Sequence, residues 1–113
     1  MICEQWDVVS VPFPFIDRPA VKRRPALVIS SRTFNDSNEH SLLAMITTAL
    51  LDTWPSDTPL VDFTAAGLKF HCYVRWKVFT LPNDAIVKKI GALCEIDRRG
   101  IASQLELIFG GRQ

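Results

Sequence analysis

The sequence predicts a mainly β chain of α+β character: a small, strongly bent β-barrel of five or six short strands with one packing helix at the C-terminal end. Three observations carry this. Short runs rich in Val, Ile, Thr, Phe and Trp recur between proline- and glycine-marked breaks, the alternation of strands and turns. Sustained helical spacing is confined to the end, where Ile101, Leu105, Ile108 and Phe109 fall at i, i+4, i+7 and i+8. With 113 residues and no internal repeat or low-complexity segment, the chain reads as one domain spanning its whole length, too short for a second core.

The elements follow in order. Ile2 to Val11 holds Trp6, Val8, Val9 and Val11 and is read as the first strand; Pro12-Phe13-Pro14-Phe15 then lacks ladder donors at its prolines and forms an edge or exit. Ile16 to Arg23 is polar, basic and interrupted by Pro19, a loop longer than a hairpin needs. Arg24 to Ser30 is the second strand, and Ser31 to His40 offers turn chemistry with one helical turn at Arg32 to Phe34. Ser41 to Thr48 carries an unbroken apolar run from Leu42 to Ile46, the pattern of a strand covered on both faces and one that a short buried helix would share.

A loop follows with Trp54 and Pro55, then a short strand at Pro59 to Phe63 and a tight turn at Thr64 to Leu68 with Gly67 at positive φ. In Phe70 to Leu81, Cys72, Val74, Trp76, Val78 and Thr80 alternate with Tyr73, Arg75, Lys77 and Phe79. The second set faces outward, with Arg75 and Lys77 side by side. Asn83 caps a single turn through Val87, Lys88 to Leu93 is the last strand, and Asp97 is the N-cap of the terminal helix, which Gly110-Gly111 closes. Gly100 inside that helix weakens it by roughly 1 kcal/mol relative to alanine.

Composition narrows the functional classes. No stretch approaches the ~20 apolar residues of a membrane span, and the N-terminus lacks the basic and apolar regions of a secretory signal. Cys3, Cys72 and Cys94 are odd in number and widely spaced, which fits neither a disulfide framework nor a zinc site and points to reduced thiols in a cytoplasm. The net charge of +1 is too small to advertise a polyanion partner. Its layout is uneven: Arg18, Lys22, Arg23 and Arg24 crowd one stretch, and Lys69, His71, Arg75 and Lys77 another. Arg23-Arg24-Pro25 is the sharpest feature, because the proline pushes Arg24 into an extended conformation at the start of a buried strand. Taken alone, the pair reads first as a solvated edge that discourages aggregation.

These residues together resemble the PemK/MazF-type toxins of bacterial type II toxin–antitoxin systems. Asp7 to Phe15 is similar to that family's opening strand and Lys22 to Ser30 to its arginine-proline strand. Ala44 to Thr48 resembles its threonine-ended strand; Ala66-Gly67-Leu68, Tyr73-Val74-Arg75, Phe79-Thr80-Leu81 and Ile86 to Leu93 continue the likeness. Two places depart from the pattern. Trp6 stands where the family carries glycine, and Trp76-Lys77 follows Arg75 where several members place an acid.

The resemblance implies an SH3-like, CcdB–PemK-type curled barrel of five to seven strands. It further implies a metal-independent, cofactor-free endoribonuclease (mRNA interferase) that cuts single-stranded RNA by 2′-hydroxyl attack, leaving a 2′,3′-cyclic phosphate. By the same resemblance Arg24, before the proline, is the catalytic arginine and Thr47 the catalytic threonine. Arg75 matches an arginine implicated in some relatives, and His71 is a candidate acid or base. Arg18, Lys22, Arg23, Thr48 and Lys77 are candidate RNA contacts, and Trp54 is a base-stacking candidate. Each also has a plainer reading: Thr47 as a strand-end cap, His71 as structural, the aromatics as core. The implied partners are RNA, a second copy in a homodimer, and an antitoxin with a flexible acidic tail. A gyrase-inhibitor-like toxin on the same fold, or a degenerate antitoxin-binding protein, is the alternative.

Overall fold

The computed structural model describes residues 1–12, 22–48 and 52–111. Among these residues six strands form one antiparallel sheet: β1 Asp7–Pro12, β2 Arg23–Val28, β3 His40–Thr47, β4 Thr58–Pro59, β5 Tyr73–Pro82 and β6 Lys88–Ala92. Their order is β4-β5-β3-β2-β1-β6, so the middle strands come from the most apolar runs in the chain. Alternation sends Val8, Leu27, Ala44, Ile46, Val74 and Trp76 to one face, where Ile101 and Leu105 of the terminal helix α2 (Glu95–Ile108) complete a core. Val9, Val11, Ala26, Val28, Leu43 and Phe79 form a second core on the other face with Cys3 and Ile86. The sheet centre is thus covered on both sides, and the unbroken run Leu42–Ile46 is a strand rather than a helix.

Several elements differ from expectation. The helical turn after β2 is a seven-residue helix, α1 (Arg32–Asn38), capped by Ser31 Oγ accepting from Phe34 N at 3.1 Å. It is anchored by a polar residue: buried Asn35 donates Nδ2 to Cys3 O at 3.0 Å and accepts from Ser30 Oγ. Asn83 does not cap a turn through Val87. A short 3₁₀ turn spans Asn83–Ala85 after Pro82, and the buried Asn83 side chain accepts from Ser41 Oγ at 2.7 Å and donates to Asn35 O at 2.8 Å.

Asp97 is likewise not an N-cap; Cys94 holds that place. From the first turn of α2, Asp97 accepts the amides of Val61 (2.8 Å) and Asp62 (2.9 Å), and β4 stops at Pro59 instead of running to Phe63 as predicted. The first strand begins only at Asp7 because Trp6 sits at φ 76°, a left-handed conformation costly for a non-glycine residue. That is the position where the resembled family carries glycine.

At its far end α2 closes as expected, with Gly110 at φ 73° and Gly111 N donating to Glu106 O at 2.8 Å. Gly100 is exposed in the helix interior with nothing within 4 Å of an added Cβ. Gly100→Ala is therefore expected to stabilise the fold by about 0.5–1 kcal/mol, read as a higher urea midpoint at unchanged m-value. A lower midpoint would contradict the open surroundings of this position.

Candidate active site

Arg23 and Arg24 open β2, opposite Pro12 and Val11 of β1. Strand alternation separates them: Arg24 shares its face with Ala26 and Val28, Arg23 with Pro25 and Leu27. The β2–β3 ladder pairs Ala26 with Met45 and Leu27 with Ala44. Continuing that register by two residues brings Arg24 level with Thr47, on the same face. Both line a cleft of about 210 Å³ with Pro25, Ile46, Thr48 and Cys72. A second cleft of about 280 Å³ adjoins it, sharing Arg24, Pro25, Thr48 and Cys72 and adding Arg23, Lys69, Phe70 and Lys88 to its wall.

The electrostatics of this double cleft are one-sided. Arg23, Arg24, Lys69 and Lys88 line it, and among the described residues no Asp or Glu does. Like charges gathered over a low-dielectric wall repel each other and focus a positive potential. Guanidinium forks suit phosphate oxygens. Cys72 does not offer a nucleophile here: burial pushes its thiol pKa up, and Sγ donates to Phe70 O at 3.1 Å. Among the described residues no group of three or more His, Cys, Asp or Glu could hold a metal ion.

Arg75 does not stand open beside Lys77. The outward face predicted for β5 holds only at Lys77: Phe79 packs into the second core, Thr80 is exposed, the ladder with β3 shifts register between Ala44 and Met45, and Arg75 is 8% exposed because Asp57, from the loop before β4, grips it. Arg75 Nε donates to Asp57 Oδ1 at 3.1 Å and Nη2 to Oδ2 at 2.8 Å, while Nη2 also reaches Asp52 O at 3.0 Å. The Arg75 hydrogen bonds hold the Asp57 carboxyl below the usual carboxylate range, with the Trp54 amide adding to the effect, and Asp57 raises Arg75 in turn. Trp54 lies over the guanidinium, its ring centroid 5.6 Å from Cζ, and is 40% exposed. No local pattern marks Asp57. It supplies to Arg75 the acid that Trp76-Lys77 lacks, from a different element.

The remaining predicted residues are placed as follows. Thr48 lines both clefts. Lys22 and Lys77 are exposed and line neither; His71 is exposed too, its ring 4.7 Å from Phe63, and also lines neither. Arg18, with Phe13 and Phe15, lies outside the described residues. Lys88 and Phe70 join the site without having been singled out. Lys88 arrives because β6 pairs beside β1, setting Lys88 against Ser10.

The fold and this site define a protein built on a curled, six-stranded β-sheet with a cationic double cleft at the sheet end. A family model of PemK-like, MazF-like toxins of type II toxin–antitoxin systems matches residues 4–109, and the chain belongs to that family. No curated protein matches its sequence. Among solved structures, MazE–MazF (Form-III) from Deinococcus radiodurans superposes with a TM-score of 0.76 at 15% identity, covering 97% of this chain and 98% of that one. Mycobacterium tuberculosis toxin MazF-mt6 gives 0.70 at 20% identity, covering 92% and 96%. An endoribonuclease in complex with its cognate antitoxin, from a mycobacterial species, gives 0.73 at 15% identity, covering 96% and 94%. At such identities the likeness is one of fold.

Proposed function

We propose that this toxin is an endoribonuclease that cuts single-stranded RNA at short sequence motifs. The observation that carries this reading is the placement of Arg24 and Thr47, level across β2 and β3 in one cleft, beside an adjoining cleft that Arg24 shares with Arg23, Lys69 and Lys88. In the proposed reaction the 2′-hydroxyl oxygen bonds to the adjacent phosphorus as the bond to the 5′-oxygen breaks. The proton passes from the 2′-hydroxyl to the departing oxygen, giving a 2′,3′-cyclic phosphate and a 5′-hydroxyl. The nucleophile belongs to the substrate, so the step calls for neither metal nor cofactor.

Catalysis then consists of positioning and charge stabilisation. Arg24 presents a planar cation to a phosphate whose negative charge grows in the transition state. Thr47, at the end of a rigid strand, donates its hydroxyl to a phosphate oxygen and holds the group for in-line attack. Arg23, Thr48, Lys69 and Lys88 carry neighbouring phosphates, and Lys22 and Lys77 add to the long-range attraction. His71 is given no step in this reading.

The toxin acts as a homodimer of single-domain subunits in the bacterial cytoplasm. An antitoxin silences it through an acidic, flexible tail that covers the same cationic cleft and orders on binding. The MazE–MazF pair from D. radiodurans and the mycobacterial endoribonuclease in complex with its cognate antitoxin support an antitoxin partner.

The test is to incubate the purified protein with a long single-stranded RNA in excess chelator and map both new ends. Discrete cuts bearing 2′,3′-cyclic phosphate and 5′-hydroxyl ends are expected. A protein inert on RNA yet able to bind gyrase would replace this reading with that of a non-catalytic inhibitor.

A further inference from the structure

The geometry points to Trp54 as a stacking platform for a base next to the scissile phosphate, with Asp57 as the residue that positions it. This rests on the endoribonuclease reading. Trp54 sits in a loop that is braced from three sides. Asp57 Oδ2 accepts the Trp54 amide at 3.0 Å, Asp57 N donates back to Trp54 O at 3.0 Å, and Asp52, itself at φ 63°, offers its carbonyl to Arg75. Arg75 joins all of these to the sheet. Its guanidinium underlies the indole on one side, while 40% of the residue stays exposed.

The location fits the substrate. β3 and β5 pair Thr47 with Tyr73 and Met45 with Arg75, so Thr47 and Arg75 are diagonal neighbours on one face. Such neighbours lie about 7–8 Å apart, the scale of a single nucleotide step. A base adjoining a phosphate held at Thr47 can therefore reach the ring over Arg75. Stacking on an aromatic ring backed by a guanidinium is the ordinary way proteins hold unpaired bases.

Asp57 is a poor general base in this arrangement. Both of its oxygens are engaged by Arg75, and the pair is nearly enclosed, at 10% and 7% side-chain exposure. Burying two charges adds little net stability, because desolvation offsets the attraction. What the bidentate pair does supply is a fixed guanidinium plane, and with it a fixed indole.

The experiment compares wild type with Trp54→Ala, Trp54→Phe, Asp57→Asn and Asp57→Glu. Binding is measured to a single-stranded RNA oligonucleotide made uncleavable by 2′-deoxy substitution at the cut site, and the cleavage-site spectrum is read on long RNA. Trp54→Ala is expected to weaken oligonucleotide binding about 5- to 150-fold, the loss of one base–aromatic stack, with Trp54→Phe near wild type. Asp57→Asn is expected to raise KM more than it lowers kcat and to relax base preference at one flanking position, and Asp57→Glu to restore part of that preference. Should Asp57→Asn fail to fold, the exposed Trp54 variants decide. A wild type that cuts RNA while Trp54→Ala binds and selects sites unchanged overturns the platform. A wild type that does not cut overturns the endoribonuclease reading instead, and the oligonucleotide affinities then read the platform separately.

Discussion

Arg24→Ala is expected to slow RNA cleavage by about 10²–10³-fold, the effect of removing one donor aimed at developing charge, in a protein that still folds. Arg24 is exposed at the start of β2, and its backbone pairing with Val11 needs no particular side chain. Thr47→Ala removes a neutral hydroxyl bond to a charged group and is expected to cost about 10–100-fold. In the proposed reaction both residues serve one phosphate, so the double variant is expected to fall well short of the product of the singles. Arg24→Lys keeps the charge and loses the planar fork, and is expected to recover only part of the rate. Arg23→Ala, on the opposite face, is expected to raise KM and flatten the salt dependence while kcat holds. Single-turnover rates on a defined RNA separate these outcomes, and an Arg24→Ala protein cleaving at the wild-type rate would sink the mechanism.

The contrast between the two arginines was only half legible in the sequence. Pro25 does mark Arg24 as extended, but the separation from Arg23 comes from strand alternation, which sends the two side chains to opposite faces of β2. The strands that place Arg24 and Thr47 were legible because β-branched runs bounded by proline and glycine are local signals. What stayed hidden came from distant partners. Asp57 lies 18 residues from Arg75, in a loop with no periodic pattern, and only the folded sheet brings them together. Asp97 was a fair N-cap by local rules, yet it serves amides 35 and 36 residues away. α1 looked like a single turn because Arg32 to Asn38 lacks an apolar stripe. A buried asparagine anchors it where a leucine would have announced it. Trp6 is the clearest conflict between levels: its ring packs against the core, and that packing holds a backbone conformation local preference opposes.

Gly67→Ala is expected to destabilise the protein by about 3 kcal/mol or more, among the largest effects of a single methyl group. Two costs add. Gly67 sits at φ 77°, where a side chain loses about 1–2 kcal/mol. An added Cβ would also stand 1.9 Å from the carbonyl oxygen of Ile90, and backbone cannot swing aside as a side-chain end can. The contact is reciprocal, since a Cβ on Gly91 would come within 2.3 Å of the Ala66 carbonyl carbon. The turn, closed by Leu68 N donating to Phe63 O at 2.9 Å, therefore lies backbone to backbone on β6. Gly110→Ala separates the two costs: it has φ 73° with nothing within 4 Å of its Cβ, so it is expected to lose only the conformational part, about 1 kcal/mol. Gly91→Ala supplies the steric part from the other side, without a left-handed backbone. The consequence reaches the site, because Lys69 and Phe70 follow the turn directly and wall the larger cleft beside Lys88. If the Gly67 turn lifts from β6, that wall moves with it, and RNA affinity should fall along with a Tm lowered by about 10 °C or more. A Gly67→Ala protein melting within about 2 °C of wild type would mean that the turn does not rest on β6 in solution.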